Sequence, residues 1–430
     1  MKTFTLLFAF LISFTLVAQN VNIPDSNFKN ALLSDATINT NSDNEIQVSE
    51  AQAFTGTIQV SNKNISDLTG IEFFDNLTKL YCHYNNLTTI NLKDNKELLE
   101  LGASNNKINF IEVDKNVKLQ VLGLGDNELT NINIDENVNL IELYLNANKL
   151  NTIDVSKNTA LGKLLIGGNN LTSLNVLQNT NLRTLSCAEN SISDLDISNC
   201  LLLEDLNCGY NNLSTLNTAN NISLFEISCD DNSLTFLDVT KNVNLLQLFC
   251  RNNKITELDL TKNTKLGQVF LQNNLIKILD ISNAPDMTEF YCNDNSLTGL
   301  DVANGNNANL YLNASQNPGL QCINVDVGFS PTNWDKDPAS MYGTNCAVAS
   351  IDDVELGKHI KIYPNPFKNN ITIDNFSNEN VALSIIYTSL GKSIKSSSEN
   401  ILNTKDLSKG VYFLKIRFSS GKHIIKKIVK

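Results

Sequence analysis

One spacing constrains this chain more than any other feature, because an apolar residue recurs every 21 positions through its middle. Internal repetition at such a period is typical of solenoids, since one unit cannot bury its own apolar face and stacked units share a continuous core. The sequence therefore predicts a stack of coils. Eleven consecutive positions fit without an insertion, namely Leu77, Leu98, Leu119, Leu140, Leu161, Leu182, Leu203, Leu224, Leu245, Leu266 and Met287.

Within each unit, a segment of alternating apolar residues predicts a short strand, because its leucines point one way and the residue between them points the other. An asparagine also holds a fixed position. Its short amide can bond backbone groups where the chain turns off the strand. We therefore interpret these asparagines as structural. They are Asn85, Asn106, Asn127, Asn148, Asn169, Asn190, Asn211, Asn232, Asn253, Asn274 and Asn295.

The unit can be written LxxLxCxxNxLxxLDLSxNx, and this pattern resembles the leucine-rich repeat, in the short form found in internalins and in secreted proteins of the Bacteroidota. The resemblance covers about residues 57–325. It implies an α/β-type solenoid of mostly parallel strands, with loops or 3-10 turns on the convex side.

Most cysteines share one core position of the repeat, which leucine or isoleucine fills in other units. A free cysteine behaves as a small apolar residue and is often buried. Neighbouring coils lie about 4.8 Å apart with parallel side chains, further than the roughly 3.8 Å between Cβ atoms that a disulfide prefers. We therefore predict packed, unpaired thiols, and we read Cys200, at a turn, in the same way. The core set is Cys82, Cys187, Cys208, Cys229, Cys250 and Cys292.

Two further cysteines, Cys322 and Cys346, flank a segment that follows the last repeat. The end of a solenoid needs a cover, because the last coil would otherwise expose its core. We predict a Cys322–Cys346 disulfide that fastens a cap over residues 326–346, with Trp334 packed on the final coil.

The chain begins with a short basic region, an apolar run and small residues, which predicts a secretory signal peptide over residues 1–18. Residues 19–56 then predict a helical N-terminal cap. Within it, NTNSDNEIQVSE resembles the calcium loop of EF-hands, although Asn39 replaces the usual aspartate and Asn44 the usual glycine. The alternative is a vestigial loop without calcium. The ligands that the resemblance implies are Asn39, Asn41, Asp43, Glu45 and Glu50.

The last part of the chain differs in charge from the rest. Residues 355–430 carry 13 Lys/Arg and 5 Asp/Glu, a balance of +8, whereas the net charge of the whole chain is -12. This asymmetry predicts a boundary, with a linker over 347–359. IYPNPF, DLSKGVYFLKI and the terminal GKHIIKKIVK make residues 360–430 resemble the type A sorting domain of the type IX secretion system. The resemblance implies a small all-β sandwich and a partner in that export machinery; the alternative is an independent binding module.

The remaining sequence offers little chemistry. Without residues 355–430 the chain has a net charge of -20, which argues against nucleic-acid binding. The histidines His83, His359 and His423 lie far apart, and no catalytic motif occurs. We therefore predict that the protein is not an enzyme. No apolar segment after the signal peptide is long enough to predict a membrane span.

The residue between the two core positions of each strand should face the concave side of a leucine-rich repeat. Several of these residues are aromatic, and exposed aromatic side chains that gather on one face suggest a partner. The predicted ligand-binding residues are Tyr81, Tyr144, Phe249, Arg251, Phe270 and Tyr291, with Tyr311 roughly in line. The rings could instead stack only to support the sheet.

These observations predict an exported or cell-surface protein that recognises another protein through its concave face. Two alternatives stay open at this point. One is a surface protein that binds glycans. The other is a structural or calcium-stabilised surface component without a discrete ligand.

Overall fold

The computed structural model describes residues 19–344, 346, 360–376, 380–388, 392–419 and 423–430. The predicted signal peptide, 1–18, and the predicted linker, 347–359, lie outside the described residues.

Two short helices precede the coils, α1 (Ser26–Leu33) and α2 (Val48–Ala53). Asp25 caps α1, because its carboxylate accepts the backbone N–H groups of Asn27 and Phe28. At α2, the side chains of Gln47 and Glu50 each accept a backbone N–H of the other, which forms a capping box. Phe28 and Leu32 turn the apolar face of α1 into the core.

A long parallel sheet dominates the structure, and among the described residues it contains fourteen strands, with one strand from each successive coil. The strand labels follow the order of the chain. The strands of this sheet are β1 (Gly56–Gln59), β2 (Leu77–Tyr81), β3 (Glu100–Gly102), β4 (Val121–Gly123), β5 (Glu142–Tyr144), β6 (Lys163–Leu165), β7 (Thr184–Ser186), β8 (Asp205–Asn207), β9 (Glu226–Ser228), β10 (Gln247–Phe249), β11 (Gln268–Phe270), β13 (Glu289–Tyr291), β15 (Tyr311–Ala314) and β17 (Asp335–Lys336).

The 21-residue spacing sets the register of this sheet. Leu248 of β10, for example, pairs with Ile227 of β9 and Val269 of β11, each 21 residues away. The middle residue of each three-residue strand in this sheet is buried, and its two neighbours are partly exposed except at Gly102 and Gly123, which are buried. One continuous apolar core therefore runs through the stack, from Val21 in the N-terminal cap to Trp334 beyond the last repeat. This parallel-strand solenoid confirms the predicted fold class.

The fixed asparagines form a hydrogen-bonded ladder, as their spacing predicts. The Asn253 amide nitrogen donates to the backbone carbonyls of Cys229, Cys250 and Arg251, at 3.0, 3.3 and 3.0 Å. Its side-chain oxygen accepts the N–H of Leu234 at 2.9 Å. Each asparagine thus joins its own turn to the preceding coil and satisfies backbone groups that water cannot reach.

The repeated cysteines are free, buried thiols, as predicted. Burial raises the pKa of the Cys82 and Cys187 thiols to about 12. Cys200 occupies a position that Asn179 and Asn221 hold in the neighbouring coils. The Asn179 amide nitrogen donates to Val155 and Asn158, and the Cys200 thiol makes the equivalent, longer contacts with Val176 and Asn179 at 3.6 and 3.8 Å.

A second parallel sheet covers the opposite side of the last coils. It contains β12 (Ile278–Asp280), β14 (Gly299–Asp301), β16 (Cys322–Asn324) and β18 (Met341–Gly343).

The Cys322–Cys346 disulfide fastens the C-terminal end of the solenoid, with 5.6 Å between the two Cα atoms. Trp334 is buried and its indole N–H donates to the Leu310 carbonyl at 2.7 Å. The disulfide and the capping role of Trp334 are therefore as predicted. The described residues include two 3-10 helices, Ile71–Phe73 and Asn307–Asn309.

The C-terminal region has its own apolar core, between Ile360 and Ile428. Two antiparallel sheets enclose it, in the orders β19-β20-β23 and β22-β21-β24-β25. The strands are β19 (Ile360–Tyr363), β20 (Asn370–Asn375), β21 (Val381–Thr388), β22 (Ser393–Ser397), β23 (Ile401–Asn403), β24 (Val411–Phe418) and β25 (His423–Val429). This is the small all-β unit that the sequence predicts. The boundaries given above for each predicted segment of the chain remain predictions.

The IYPNPF segment has a structural role in this unit. The Asn365 side chain accepts the Val429 N–H at 2.8 Å and donates to the Lys427 carbonyl at 3.1 Å. Phe367 is buried, and its backbone N–H donates to the Val429 carbonyl. The first motif of the region is therefore bonded to its last strand.

Candidate functional site

The outward face of the long sheet, which a leucine-rich repeat places on its concave side, presents three positions in each coil. In the coil of β10 they are Gln247, Phe249 and Arg251, which alternate with the buried Leu248 and Cys250. Side chains at equivalent positions of neighbouring coils point in parallel, about 4.8 Å apart. The face therefore consists of three rows that run along the solenoid, and the composition of each row decides what it can contact.

Near one end of the face, three rings of the middle row and one from the first row form a set that we call the aromatic ladder: Phe249, Phe270, Tyr291 and Tyr311. The centroids of successive rings lie 5.1, 4.8 and 5.3 Å apart. The first two contacts are edge-to-face, with interplanar angles of 73° and 74°. Such contacts stabilise neighbouring rings. All four rings remain partly exposed, so the ladder supports the sheet and also presents an apolar surface.

Tyr311 joins the ladder from a different register. It pairs with Glu289, whereas Asn313 pairs with Tyr291. Tyr311 thus belongs to the first outward row, and its ring leans towards Tyr291. Its hydroxyl donates to Asp335 of the next strand at 2.9 Å, which fixes the ring at the end of the ladder.

Arg251 is held against the ladder by Asp230. The Asp230 carboxylate is almost fully buried and accepts the Arg251 backbone N–H at 2.6 Å. It also accepts the guanidinium Nε and Nη2 at 2.9 and 2.5 Å. The guanidinium carbon lies 5.8 Å from the Phe270 ring centroid. A partner therefore meets a positioned guanidinium beside the rings, because the buried carboxylate needs this counter-charge.

Two carboxylates lie next to this region, on Asp205 and Glu226 of adjacent strands, paired in register. Neither has a hydrogen-bond or ion-pair partner among the described residues. Burial raises the pKa of the Asp205 carboxyl. Burial, and then the charge of Asp205, raises the pKa of the Glu226 carboxyl. The charge of Lys163 lowers the pKa of Asp205 in part, but no basic side chain forms an ion pair with either carboxylate among the described residues, so the pair offers partly compensated negative charge to a partner.

The structure places Tyr81 and Tyr144 on the same face but far from the ladder. Tyr144 lies on β5, five strand spacings, or about 24 Å, from Phe249. Its hydroxyl bonds Glu142, and Lys163 Nζ lies 5.4 Å from its ring centroid. Burial and the bond to Glu142 raise the pKa of Tyr144 to about 12. It is a separate polar site.

Tyr81, still further away, bonds Glu100, and this bond together with burial raises its pKa to about 12. The ring of Tyr81 lies 6.1 Å from that of His83, nearly parallel to it. Sequence reasoning gave His83 no role. Its imidazole fills the space above Gly102, where an added Cβ would lie 2.3 Å from Nε2. In the sequence, Gly102 of the next coil was the signal that could have indicated this position for His83.

A second feature was also missed, an apolar edge stripe on the flank of the sheet. Its six side chains are between 37% and 57% exposed and come from three consecutive coils. Other coils carry Thr180 and Arg183, or Thr264 and Gly267, at the equivalent positions, so the fold does not require apolar residues there. Comparison of the repeats could have found it. The stripe consists of Leu201, Leu202, Ile222, Phe225, Val243 and Leu246.

The loop that resembles an EF-hand is filled by its own hydrogen bonds. Glu50 Oε1 accepts the backbone N–H groups of Thr40 and Asn41 and the Thr40 hydroxyl, and Oε2 accepts the Gln47 N–H. Asp43 Oδ2 accepts the side-chain amides of Asn41 and Gln47. Calcium needs these carboxylate oxygens.

Two other predicted calcium ligands also form contacts with protein groups. Glu45 forms an ion pair with Lys29 at 2.7 Å, and the Asn39 amide nitrogen donates to the Leu33 and Asp43 carbonyls. Only Asn39 Oδ1 is buried and without a hydrogen-bond partner within the described loop. One open oxygen does not make a calcium site, so this arrangement does not fit the ion, and calcium binding stays an untested prediction.

The described residues contain neither a metal-ligand cluster nor a membrane-spanning helix. No group of three or more His, Cys, Asp or Glu side chains is placed to hold a metal ion in this part of the chain. In the same residues, no helix has the length and apolar character needed to cross a membrane.

Comparison with solved structures supports the fold. The functional domain of InlJ from Listeria monocytogenes, which includes a cysteine ladder, is 25% identical, with a TM-score of 0.54 over 96% of this chain and 98% of that chain. The Listeria monocytogenes internalin InlF is 20% identical, with a TM-score of 0.56 over 74% of this chain and 99% of that one. A leucine-rich repeat protein from Leptospira interrogans is 24% identical, with a TM-score of 0.51, over 66% and 83% of the two chains.

Sequence comparison adds the C-terminal assignment. Residues 361–430 match the family described as the secretion system C-terminal sorting domain. No curated protein is similar enough to the chain to count as a match. The sorting domain indicates export by type IX secretion to the cell surface or the extracellular space. The chain is thus a leucine-rich-repeat solenoid, similar in fold to internalins, that ends in a secretion system C-terminal sorting domain.

Proposed function

We propose that this exported solenoid is a non-enzymatic adhesion protein that recognises another protein through the aromatic ladder. The observation that carries the proposal is the placement of Phe249, Phe270 and Tyr291 at one end of the outward face. Elsewhere in the middle row, most residues are small or polar, such as Gly123, Ser186 and Asn207. Tyr81 and Tyr144 stand apart from each other there and bond acidic neighbours. Exposed aromatic residues beside a positioned arginine are typical of the residues that dominate protein interfaces.

The apolar edge stripe supports a partner of protein size. Phe225 and Leu246 of the stripe each precede a strand residue of the outward face, Glu226 and Gln247. The stripe and the ladder therefore meet in the coil of β10, from which the stripe extends over the two preceding coils and the ladder over the following ones. Exposed apolar patches of this extent mark interaction sites on soluble proteins. A small ligand on the ladder would leave the stripe in water.

Charge complementarity suggests the chemistry of the partner. Asp205 and Glu226 form no ion pair among the described residues, although the charge of Lys163 acts on Asp205, and they lie between the stripe and the middle row. A lysine or arginine of the partner would supply a counter-charge. Opposite charges at an interface raise the rate of association and exclude wrong partners. We therefore expect a protein surface with apolar side chains bordered by basic residues.

The test is an affinity capture with the chain from residue 19 onward as bait and biotinylated surface proteins and polysaccharides from its habitat as prey. The variant Phe249→Ala/Phe270→Ala/Tyr291→Ala removes the ladder. The matched control, Phe110→Ala/Phe236→Ala, removes two aromatic residues that are 51% and 57% exposed outside the ladder. We expect a partner that both the wild type and the control hold and that the ladder variant loses at least tenfold.

Three other outcomes would contradict the proposal. Equal capture by the ladder variant would move the site elsewhere on the solenoid. Capture of polysaccharide rather than protein by the ladder would favour the glycan alternative. No capture by any bait would favour a structural surface component without a discrete ligand.

A further inference from the structure

A cavity of about 310 Å³ lies between the last coil and the C-terminal cap, where the aromatic ladder ends. One wall is the segment around Tyr311, and the opposite wall is the cap loop around Phe329. Small-molecule sites have volumes of about 300–1,000 Å³, so this cavity can hold one compact ligand. It lies beside the flat outward face of the sheet, with which it shares Tyr311.

Contacts behind the cavity fix both walls. Trp334 anchors the cap loop by its bond to the Leu310 carbonyl at 2.7 Å, and the Phe329 ring packs against Trp334 with 5.2 Å between centroids. Tyr311 is held by its bond to Asp335. The Cys322–Cys346 disulfide closes the cap beyond them. The cavity is therefore preformed, which lowers the entropic cost of binding.

The polar side chains that line the cavity are uncharged and are available for hydrogen bonds to a ligand. The side chains of Ser330, Thr332 and Asn333 are exposed and have no hydrogen-bond partner among the described residues. Asn309 uses its amide nitrogen for Asn306 at 2.5 Å, which leaves its carbonyl oxygen free. Hydroxyl and carboxamide groups both donate and accept, so this set can match a ligand that carries both kinds of group.

The lining excludes several ligand classes. No lining residue carries a charge, so neither an anion nor a cation would find its counter-charge there. A hydrocarbon would leave the amides and hydroxyls unpaired once water is displaced. A neutral ligand with several hydroxyls and one apolar face fits both parts of the lining. Its C–H face can pack on Tyr311 or Phe329, and its hydroxyls can bond the loop.

We propose that this cavity is a binding site for one neutral saccharide unit. The cap loop supplies the hydrogen bonds through Ser330, Thr332 and Asn333, and Tyr311 and Phe329 supply the apolar contact. The site shares Tyr311 with the ladder, but it does not depend on protein recognition by Phe249, Phe270 and Tyr291. On a surface protein, the two sites together suit a partner that bears glycans.

The single tryptophan of the chain, Trp334, packs against Phe329 and therefore reports on the cavity. The experiment titrates the chain from residue 19 onward with methyl glycosides of glucose, galactose, mannose and N-acetylglucosamine to tens of millimolar. Tryptophan fluorescence and saturation-transfer NMR are the readouts. We expect at least one sugar to bind with millimolar affinity and to weaken at least tenfold in Ser330→Ala/Asn333→Ala.

Asn170→Ala/Ser191→Ala removes one exposed asparagine and one exposed serine from distant coils and should bind the sugar as the wild type does. The Phe249→Ala/Phe270→Ala variant should also keep the sugar, which separates this site from the ladder. Equal binding by Ser330→Ala/Asn333→Ala would place the sugar elsewhere and overturn the proposal. Failure of all four sugars to bind the wild type would overturn it as well.

Discussion

Asp25 and Ser66 join the N-terminal cap to the first coil. The Asp25 Oδ2 atom accepts the Ser66 backbone N–H at 2.7 Å and the Ser66 hydroxyl at 2.9 Å. Its Oδ1 atom caps α1 through Asn27 and Phe28. One carboxylate thus fixes the start of a helix and the position of that helix on the solenoid.

This carboxylate makes the attachment of the cap sensitive to acid. Burial alone would raise the pKa of Asp25, but the bonds from Ser66 and Phe28 outweigh it and hold the pKa below its ordinary value. A depressed folded-state pKa adds stability above the unfolded-state pKa, near 4, and that stability is lost as the pH falls through the folded-state value. We expect Asp25→Ala to lower the free energy of unfolding by about 2 kcal/mol at pH 7.

The measurement is chemical denaturation of Asp25→Ala and wild type at several pH values. The difference between them should shrink below pH 4, because the wild-type carboxylate is then protonated. Asp75→Ala, at an exposed aspartate shortly before β2, is the control and should have little effect. A loss that does not change with pH would assign the effect of Asp25 to something other than its charge.

The asparagine ladder should contribute strongly to stability. Asn253→Ala removes four hydrogen bonds to buried backbone groups, so we expect a loss of about 3 kcal/mol in the free energy of unfolding. Urea denaturation followed by circular dichroism measures it. Lys254→Ala, at the exposed neighbour, should change it by less than about 0.5 kcal/mol. Similar losses in the two variants would contradict a special role for the fixed position.

The buried thiols should be unreactive in the folded protein. Burial excludes the reagent, and the raised pKa of Cys82 and Cys187 keeps the thiols protonated at pH 8. With Ellman's reagent, we expect no rapid reaction in native buffer and seven reactive thiols per chain in denaturant without reductant. Nine reactive thiols would show that Cys322 and Cys346 are not bonded in the isolated protein.

The disulfide should stabilise mainly the C-terminal cap. The bridge spans 24 residues, and a loop of that length is worth about 3 kcal/mol. In Cys322→Ser/Cys346→Ser we therefore expect Trp334 fluorescence to shift at a lower denaturant concentration than in the wild type. The circular dichroism transition of the coils should move less, since each coil contacts only its neighbours. A tryptophan transition that stays in place would mean that packing alone holds the cap.

Calcium should leave the N-terminal cap unchanged. Glu50 and Asp43 already bond N–H donors in the loop, so we expect the same melting temperature in millimolar calcium and in chelator. Isothermal titration calorimetry should show no binding heat. A calcium-dependent rise in melting temperature that Glu50→Gln removes would establish the calcium site that the sequence pattern suggests.

The repeat could be predicted closely because each coil meets the same constraint. Leu248 is buried for the same reason as Leu101 or Leu143, so one unit explains the others. The same logic identified the free thiols and the asparagine ladder. The cap disulfide followed from Cys322 and Cys346 falling outside the pattern.

The repeat pattern could not predict the orientation of side chains on the outward face. Tyr81 and Tyr144 share a row with Phe249, but their hydroxyls bond acidic neighbours and they form separate sites. Tyr311 reaches the ladder from another row, because Glu289 and Tyr311 are 22 residues apart, one more than the repeat. The sequence did not predict the edge stripe, because no packing constraint determines which residue occupies an exposed position.

The unbroken register has a consequence for how such a chain can change in length. Every hydrogen bond between coils of the repeat connects residues at nearly constant separations, such as the 24 and 19 residues that Asn253 spans. Loss or gain of one whole unit would restore every such bond, and would shift the two ends by one strand spacing, about 4.8 Å. Recombination that removes or adds whole repeat units would therefore change the distance between the two caps in equal steps.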